Sequence, residues 1–186
     1  MQISTGSFRF DRRPRLEEAA YFVVLLSTAV TLGAALAHLF ALPNKIGLPS
    51  EDYFVIQSIY AGWAQIGYAI AVQLVAMLAA MAFSRRQPRV FRFTVAAALC
   101  LAAAQIVFWT FTYPANLATE NWTTIPDNWD ALRRAWEYSH AAGAGLQILA
   151  MAALILALLA RAQAPVTGMP GRNSSAGIER HARVGS

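Results

Sequence analysis

Charged residues and cysteine are both scarce in this chain of 186 residues. Asp, Glu, Lys and Arg make up 13% of the sequence, against roughly 25% in an average soluble domain. The single cysteine, Cys100, excludes an internal disulfide and with it a secreted disulfide scaffold. Hydrophobic residues reach 57%, which excludes an intrinsically disordered chain. This composition indicates a membrane protein.

Four stretches contain no acidic or basic residue, and each is between 21 and 30 residues long. A helix needs about 20 apolar residues to cross the hydrocarbon of a bilayer. The stretches cover more than half of the chain, so no segment is left for a separate soluble core. They predict an all-α fold, a four-helix transmembrane bundle, with spans at about residues 19–42, 52–83, 91–113 and 128–161.

The segments outside these spans are polar. Residues 1–16 are predicted to be an N-terminal arm, residues 17–162 the membrane domain, and residues 163–186, rich in Gly, Pro, Ser and Arg, a disordered tail.

Prolines and helix caps predict where the spans begin and end. Pro43 with Asn44 is expected to end helix one, and Pro114 to end helix three, because a proline ring cannot continue the helical hydrogen bonds. Ser50 is expected to cap helix two, which should then run unbroken to Phe83 and exceed the thickness of the membrane.

Basic residues are concentrated on one side of the predicted spans. Twelve of the 15 precede span one, separate spans two and three or follow span four, while the other two loops hold only Lys45, Arg133 and Arg134. The positive-inside rule therefore places both termini in the cytoplasm of a multi-pass plasma (inner) membrane protein. A cleavable signal peptide at Ala35-Leu36-Ala37 is the weaker alternative, because the apolar run is long for one. The lipid bilayer is the expected partner; nucleic acid is not, since the basic residues form no continuous face.

Polar residues share one face on helices one, three and four when the residues are placed at 100° intervals. Hydrocarbon cannot satisfy their hydrogen bonds, so these faces should turn toward the bundle interior, in the outer half of the membrane. The stripes are Ser27, Thr31 and His38 on helix one, Thr94, Gln105, Trp109 and Thr112 on helix three, and Trp129, Arg133, Trp136, His140, Gly143 and Gln147 on helix four.

These stripes predict a polar and aromatic cavity for a small hydrophobic or aromatic ligand. His38 and His140 are the candidate catalytic residues, because imidazole titrates near neutral pH. Interfacial aromatic residues and hydrogen bonds between helices are also ordinary packing features, which keeps a purely structural interpretation open. The candidate substrate-binding residues are Gln57, Tyr60, Gln105, Trp109, Asn116, Trp129, Arg133 and Trp136.

The cofactor stays open at this stage. His38 and His140 are candidate ligands of a haem or a single metal ion, but neither group is favoured because no third ligand is evident. Glu137 and His140 have the Glu-x-x-His spacing of di-iron bundles, yet such a site needs a second pair and further carboxylates.

The segment after helix three carries a family resemblance. Phe108-Trp109-Thr110-Phe111-Thr112-Tyr113-Pro114-Ala115-Asn116 is followed by a Trp-rich loop and Trp136-x-x-x-His140. Over about residues 16–161 the chain resembles the small four-helix membrane proteins grouped as anthrone-oxygenase-like, most of which have no known function. The resemblance implies oxidation of a flat aromatic substrate by O₂. The chain departs from many members at Ala141–Ala144, where they carry an arginine.

The sequence therefore supports two alternative functions. The first is binding, and in an enzyme also oxidation, of a small hydrophobic aromatic molecule. The alternative is a non-catalytic membrane scaffold, a lipid-binding protein or a subunit of a larger membrane complex. The sequence leaves the oligomeric state open.

The distribution of basic residues makes the topology testable. Single cysteines are introduced in place of Ser50, Thr123 or Gln87 and labelled from one side of the membrane. Those at positions 50 and 123 should react from the outer side and that at position 87 from the cytoplasmic side, because the positive-inside rule orients short loops. Labelling of a cysteine at position 87 from the outside would invert the arrangement.

Overall fold

The computed structural model describes residues 12–163. Helices make up almost all of this segment, and no β-strand occurs within it. The predicted tail, apart from its first residue, and the arm up to residue 11 lie outside the described residues.

Four parts of the described chain are long and apolar enough to cross a membrane: Arg15–Lys45, Trp63–Ser84, Pro88–Ala118 and Trp129–Ala162. The predicted all-α, four-helix bundle is confirmed, and the chain is a multi-pass membrane protein. The α-helices are α1 Arg12–Lys45, α2 Ser50–Gln57, α3 Ile66–Ser84, α4 Pro88–Val107, α5 Tyr113–Ala118 and α6 Trp129–Ala162.

The four long helices close into a ring. Helix α1 packs against α3 and α6, and α4 packs against the same two helices from the other side. Small residues let the backbones approach, as is usual between helices in a membrane; Ala80, Ala97, Ala150 and Ala157 have no exposed surface. We call the end where α1 begins and α6 ends the terminal end, and the opposite end the distal end.

Polar groups in the middle of the bundle hydrogen-bond to one another. The Gln73 amide donates to Thr28 Oγ1 at 3.0 Å and to Gln147 Oε1 at 3.2 Å. Nearer the terminal end the Tyr21 hydroxyl and Thr94 Oγ1 are 2.7 Å apart. These bonds join α1, α3, α4 and α6 where hydrocarbon offers no partner.

Helix α1 continues past Pro43, contrary to the prediction that this proline ends it. A proline removes its own N–H and crowds the carbonyl four residues earlier, so the helix loses one hydrogen bond, and the resulting kink has the smallest effect in the last turn, where few residues follow. Pro43 lies in that last turn, and α1 ends at Lys45. Lys45 therefore stays on the helix, seven residues after His38 and on the same face.

The predicted continuous second span is wrong, because the chain breaks between α2 and α3. Two 3₁₀ turns, Ser58–Tyr60 and Trp63–Gln65, flank Ala61 and Gly62. Gly62 has a φ of +84°, which is left-handed and interrupts the helix. Ser50 is the first residue of α2 rather than its cap, since Pro49 occupies the cap position. Helix α2 is thus a separate element at the distal end.

Helix three also passes the proline expected to end it. A π-helical turn at Phe108–Thr112 joins α4 to α5, which contains Pro114 in its first turn. The carbonyl four residues before Pro114 is that of Thr110, inside the wider turn, where it escapes the proline ring. The π turn also disrupts the 100° step on which the predicted stripe of helix three depended.

The break in the second span yields a paired prediction. Gly62→Ala should lower the free energy of unfolding by about 1–2 kcal/mol, because an L-residue is strained at a left-handed φ. The control is Gly67→Ala inside α3, where an added Cβ meets nothing within 4 Å, and it should cause no loss. Unfolding of the purified protein in detergent measures both, and equal effects would mean that the break does not depend on Gly62.

Candidate functional site

Five aromatic rings meet near the distal end, and we call them the ring cluster: His38, Tyr60, Trp63, Trp136 and His140. The centroid of the His38 ring lies 4.1 Å from that of His140, 4.4 Å from Tyr60, 5.0 Å from Trp136 and 5.3 Å from Trp63. His38 is buried and His140 half-buried. The structure therefore brings the two predicted catalytic histidines into direct contact.

Helical spacing orients the two residues that α6 contributes. Trp136 and His140 are four residues apart, so they share a face, and their ring centroids are 4.0 Å apart. His140 Nδ1 is 2.8 Å from the carbonyl oxygen of Trp136. A carbonyl only accepts, so Nδ1 carries the proton of a neutral ring and Nε2 holds the lone pair.

A buried ion pair lies beside the ring cluster. Lys45 Nζ is 2.9 Å from Glu137 Oε1, and the two side chains are 4% and 0% exposed. Lys45 also donates to the Tyr60 hydroxyl at 3.1 Å. Its Nζ stands 4.9 Å from the ring centroid of Tyr60 and 5.1 Å from that of Trp136. The aromatic faces add to the stabilisation of the ammonium group.

Tyr53 of α2 is a second hydrogen-bond donor to the Glu137 carboxylate of this pair. Its hydroxyl donates to Glu137 Oε1 at 2.9 Å. Burial raises the pKa of the Tyr53 hydroxyl above its ordinary value, and the negative charge of Glu137 raises it further. The hydroxyl therefore stays protonated and remains a donor.

Arg133 forms a second ion pair, one turn closer than Glu137 to the start of α6. It donates to the carbonyl oxygen of Leu48 at 2.6 Å and pairs with Asp130. Its guanidinium carbon lies 4.5 Å from the ring centroid of Trp129. The loop before α2 is thereby fastened to α6.

Asn116 holds two tryptophans in place. Its Oδ1 accepts from the indole N–H of Trp136 at 2.8 Å and of Trp122 at 3.0 Å. Glu120, Asn121 and Trp122 all have positive φ values of 50° to 67°, which is costly for residues other than glycine. A bond from the backbone N–H of Asn121 to the carbonyl of Asn116, 2.7 Å long, helps to hold this turn. The turn seats Trp122 against Tyr53 and Trp136.

Several buried polar atoms in this region have no hydrogen-bond partner within residues 12–163. The Gln57 side chain is 4% exposed and lies close enough to the Tyr53 hydroxyl to lower the pKa of that group. Neither of its polar atoms, however, is in hydrogen-bonding geometry. An amide or carboxylate left buried in this way costs about 1–3 kcal/mol or more. The unpartnered atoms are His38 Nδ1, both polar atoms of Gln57, Arg133 Nε and Glu137 Oε2.

The predicted substrate-binding residues divide into two groups. Tyr60 and Trp136 belong to the ring cluster, and Asn116 supports it through Trp136. Gln57, Trp129 and Arg133 lie beside Tyr53, which is linked to Tyr60 through Glu137 and Lys45. Gln105 and Trp109 lie on α4 and its π turn, and within the described chain neither makes a side-chain contact with the histidines. Trp109 lies in the π turn, is 58% exposed, and its ring contacts the tilted ring of Tyr113 at a centroid distance of 4.8 Å.

Lys45, Tyr53 and Glu137 are the site residues that the sequence analysis missed. Ending helix one at Leu42 placed Lys45 in a loop, although its spacing of seven residues from His38 would have put both on one face. Tyr53 precedes Gln57 by four residues, which was an equally available signal. Glu137 was considered only as a metal ligand.

The rings contact one another at the place where a cavity was predicted. His38 and His140 touch, which leaves no space for a haem plane between them. Within residues 12–163 no group of three or more His, Cys, Asp and Glu residues could hold a metal ion. A shallow groove of about 310 Å³ lies elsewhere, on α4 toward the terminal end, lined by Phe91, Arg92, Val95, Ala96 and Leu99.

Comparisons with protein-family models, with curated proteins and with solved structures find no match to this chain.

The buried ion pair predicts a strong asymmetry between single and double substitutions. Lys45→Met should lower the free energy of unfolding by about 3–5 kcal/mol, because it leaves Glu137 charged and buried. The double variant Lys45→Met/Glu137→Met should recover most of that loss. Arg134→Met, which breaks the exposed pair with Asp130, is the control and should cost under about 1 kcal/mol.

Unfolding of the three variants in the same detergent provides the measurement. A double variant as unstable as Lys45→Met would mean that the pair itself, and not the unpaired charge, holds the distal end together.

Proposed function

We propose that this protein binds a small hydrophobic aromatic molecule at the ring cluster and oxidises it with O₂. The unpartnered polar atoms of His38 and Gln57 are the observation that carries the proposal. His38 Nδ1 is buried among the rings of the cluster, and Gln57 is buried beside Tyr53. A flat ring carrying one or two polar groups would bind there by separating the cluster's rings, and its polar groups would pair with these atoms. The proposed location is the plasma (inner) membrane with both termini in the cytoplasm, so that the site faces the outer side.

The chemistry proposed for the histidine pair is proton abstraction. His140 Nε2 holds the lone pair of the neutral ring, since Nδ1 donates to the Trp136 carbonyl. A carbon acid such as the CH₂ group of an anthrone would lose a proton to this nitrogen. The carbanion would form a C–O bond to O₂, which takes up the electron pair, and the proton returned from His140 would give a hydroperoxide. Cleavage of its O–O bond with loss of the second hydrogen of the carbon as water would leave the ketone, so that one CH₂ and one O₂ give one C=O and one H₂O.

The resemblance to anthrone-oxygenase-like proteins supports this reaction class. Its motif includes Trp136 and His140, which the fold places in contact with His38. The reaction as written uses a base, O₂ and an aromatic site.

The second candidate is a non-catalytic scaffold or a subunit of a larger membrane complex. The observation in its favour is the tight packing of the ring cluster, whose centroids are only 4.0 to 5.3 Å apart where His38 and His140 make their contacts. In that case the rings would be structural, and the purified protein would convert no aromatic substrate.

Anthrone oxidation by the purified protein tests the proposal. Oxygen uptake and the absorption of the anthraquinone product should both appear with wild type. His140→Gln should slow them by at least about 100-fold, because it removes a base while preserving volume and polarity. His38→Gln and Gln57→Met should also reduce them. Cys100→Ala, at a half-buried position of α4, is the control and should match wild type.

A stability measurement accompanies the activity. Gln57→Met should raise the melting temperature of the ligand-free protein, because it removes two unpartnered buried atoms. Gln73→Met, which removes a partnered amide, should lower it. Loss of stability in both variants, with oxidation unaffected by the histidine substitutions, would favour the scaffold.

A further inference from the structure

The charges around the ring cluster are already balanced. The Lys45 ammonium is paired with Glu137, and the Arg133 guanidinium is paired with Asp130. In the described part of the site each buried cation thus has an acidic neighbour. An anionic ligand would have to displace a carboxylate or lie beside one.

The two oxygens of Glu137 have different surroundings. Oε1 receives the Lys45 ammonium and the Tyr53 hydroxyl, each at 2.9 Å. Oε2 is buried and has no partner among the described residues. A carboxylate oxygen in this state attracts a hydrogen-bond donor and repels another negative charge.

Gln57 lies next to the same place. It follows Tyr53 by four residues on α2, so the two side chains share a face. Its amide nitrogen can donate hydrogen bonds and its amide oxygen can accept them, and neither atom has a partner among residues 12–163. A neutral polar group on a ligand could therefore donate to Glu137 Oε2 and accept from the Gln57 amide.

We propose that Glu137 is a specificity-determining residue that selects a neutral ligand carrying a hydrogen-bond donor and rejects an anion. This inference rests on the proposed binding function, whose ligand it narrows by charge and by hydrogen bonding. Glu137 neutralises Lys45 through one oxygen and receives the ligand through the other. The same carboxylate thus prevents the buried lysine from acting as an anion site.

Three naphthalenes that differ in one substituent provide the probe. At neutral pH, 2-naphthol is neutral and donates, 2-methoxynaphthalene is neutral and does not donate, and 2-naphthoate is an anion. Titration calorimetry with the full chain in nanodiscs should show 2-naphthol binding about ten- to a hundredfold more tightly than 2-methoxynaphthalene, the range for a hydrogen bond to a charged group. The binding of 2-naphthoate should be the weakest.

Variants locate the selectivity. Glu137→Gln should improve the binding of 2-naphthoate relative to 2-naphthol by at least about tenfold, because Lys45 loses its carboxylate. Lys45→Met/Glu137→Met carries neither a buried charge nor a hydrogen-bond acceptor at this position and serves if the single variant does not fold; it should bind 2-naphthol and 2-methoxynaphthalene about equally. The control is Gln73→Met in the middle of the bundle, which should preserve the wild-type order. Ratios between variants in the same nanodiscs cancel the different partitioning of the three compounds into lipid.

The outcomes separate this inference from the function on which it rests. Equal binding of 2-naphthol and 2-methoxynaphthalene would overturn it, since water would then satisfy Glu137 Oε2. Preferred binding of 2-naphthoate by wild type, or an unchanged order in both Glu137 variants, would overturn it as well. If none of the three binds, the proposed binding function fails too. If 2-naphthol binds as expected but anthrone is not oxidised, only the proposed oxidation fails.

Discussion

The ion pair between Lys45 and Glu137 imposes the strictest condition on the distal end of this fold. Taking two charges into a membrane bundle costs several kcal/mol for each ion unless they meet and their remaining hydrogen bonds are made. Pairing requires α1 to continue past Pro43, so that Lys45 keeps the face of His38. It also requires α2 to lie where Tyr53 reaches the carboxylate, and a break before α3 where Tyr60 reaches the ammonium group. The continuation of α1 past Pro43 and the break between α2 and α3 thus both place groups around this one ion pair.

The number and approximate position of the spans were predictable because hydrophobicity and length determine them directly. Helix α6 begins and ends within a residue of the predicted limits, 128 and 161. The errors fell at Pro43, Gly62 and Pro114. Sequence rules describe what a proline does to the middle of an ideal helix. In the structure Pro43 lies in the last turn of α1, and Pro114 lies in the first turn of α5, directly after a π turn. Gly62 lies in an uncharged run that looks uninterrupted by composition, and only its left-handed φ reveals the break.

The candidate site was predictable where one helix supplied the pattern. The 100° projection placed Trp136 and His140 on one face of α6, and the sequence predicted that this face and that of His38 lie in the outer half of the membrane. It could not assign the partners of these side chains, because those depend on contacts between helices. Asn116 was expected to bind a ligand, yet its Oδ1 already accepts two indole N–H groups. Glu137 was considered only as a metal ligand for a related reason: its structural role depends on Lys45, and a lone acid looks unfavourable in a membrane helix until that lysine is found.

The distribution of unpartnered polar atoms separates the distal end from the rest of the bundle. In the middle, Gln73 uses its amide to join α1 and α6, and Tyr21 and Thr94 join α1 to α4. Structural polar groups in this protein are thus well matched to one another. The buried atoms without partners within residues 12–163 belong to the distal end instead. A fold that satisfies its polar groups at the bilayer centre, where the penalty is greatest, has the means to do so elsewhere. The unsatisfied groups confined to this end are therefore the observation on which the proposed binding function rests, because a ligand could make the hydrogen bonds that the protein does not make with itself.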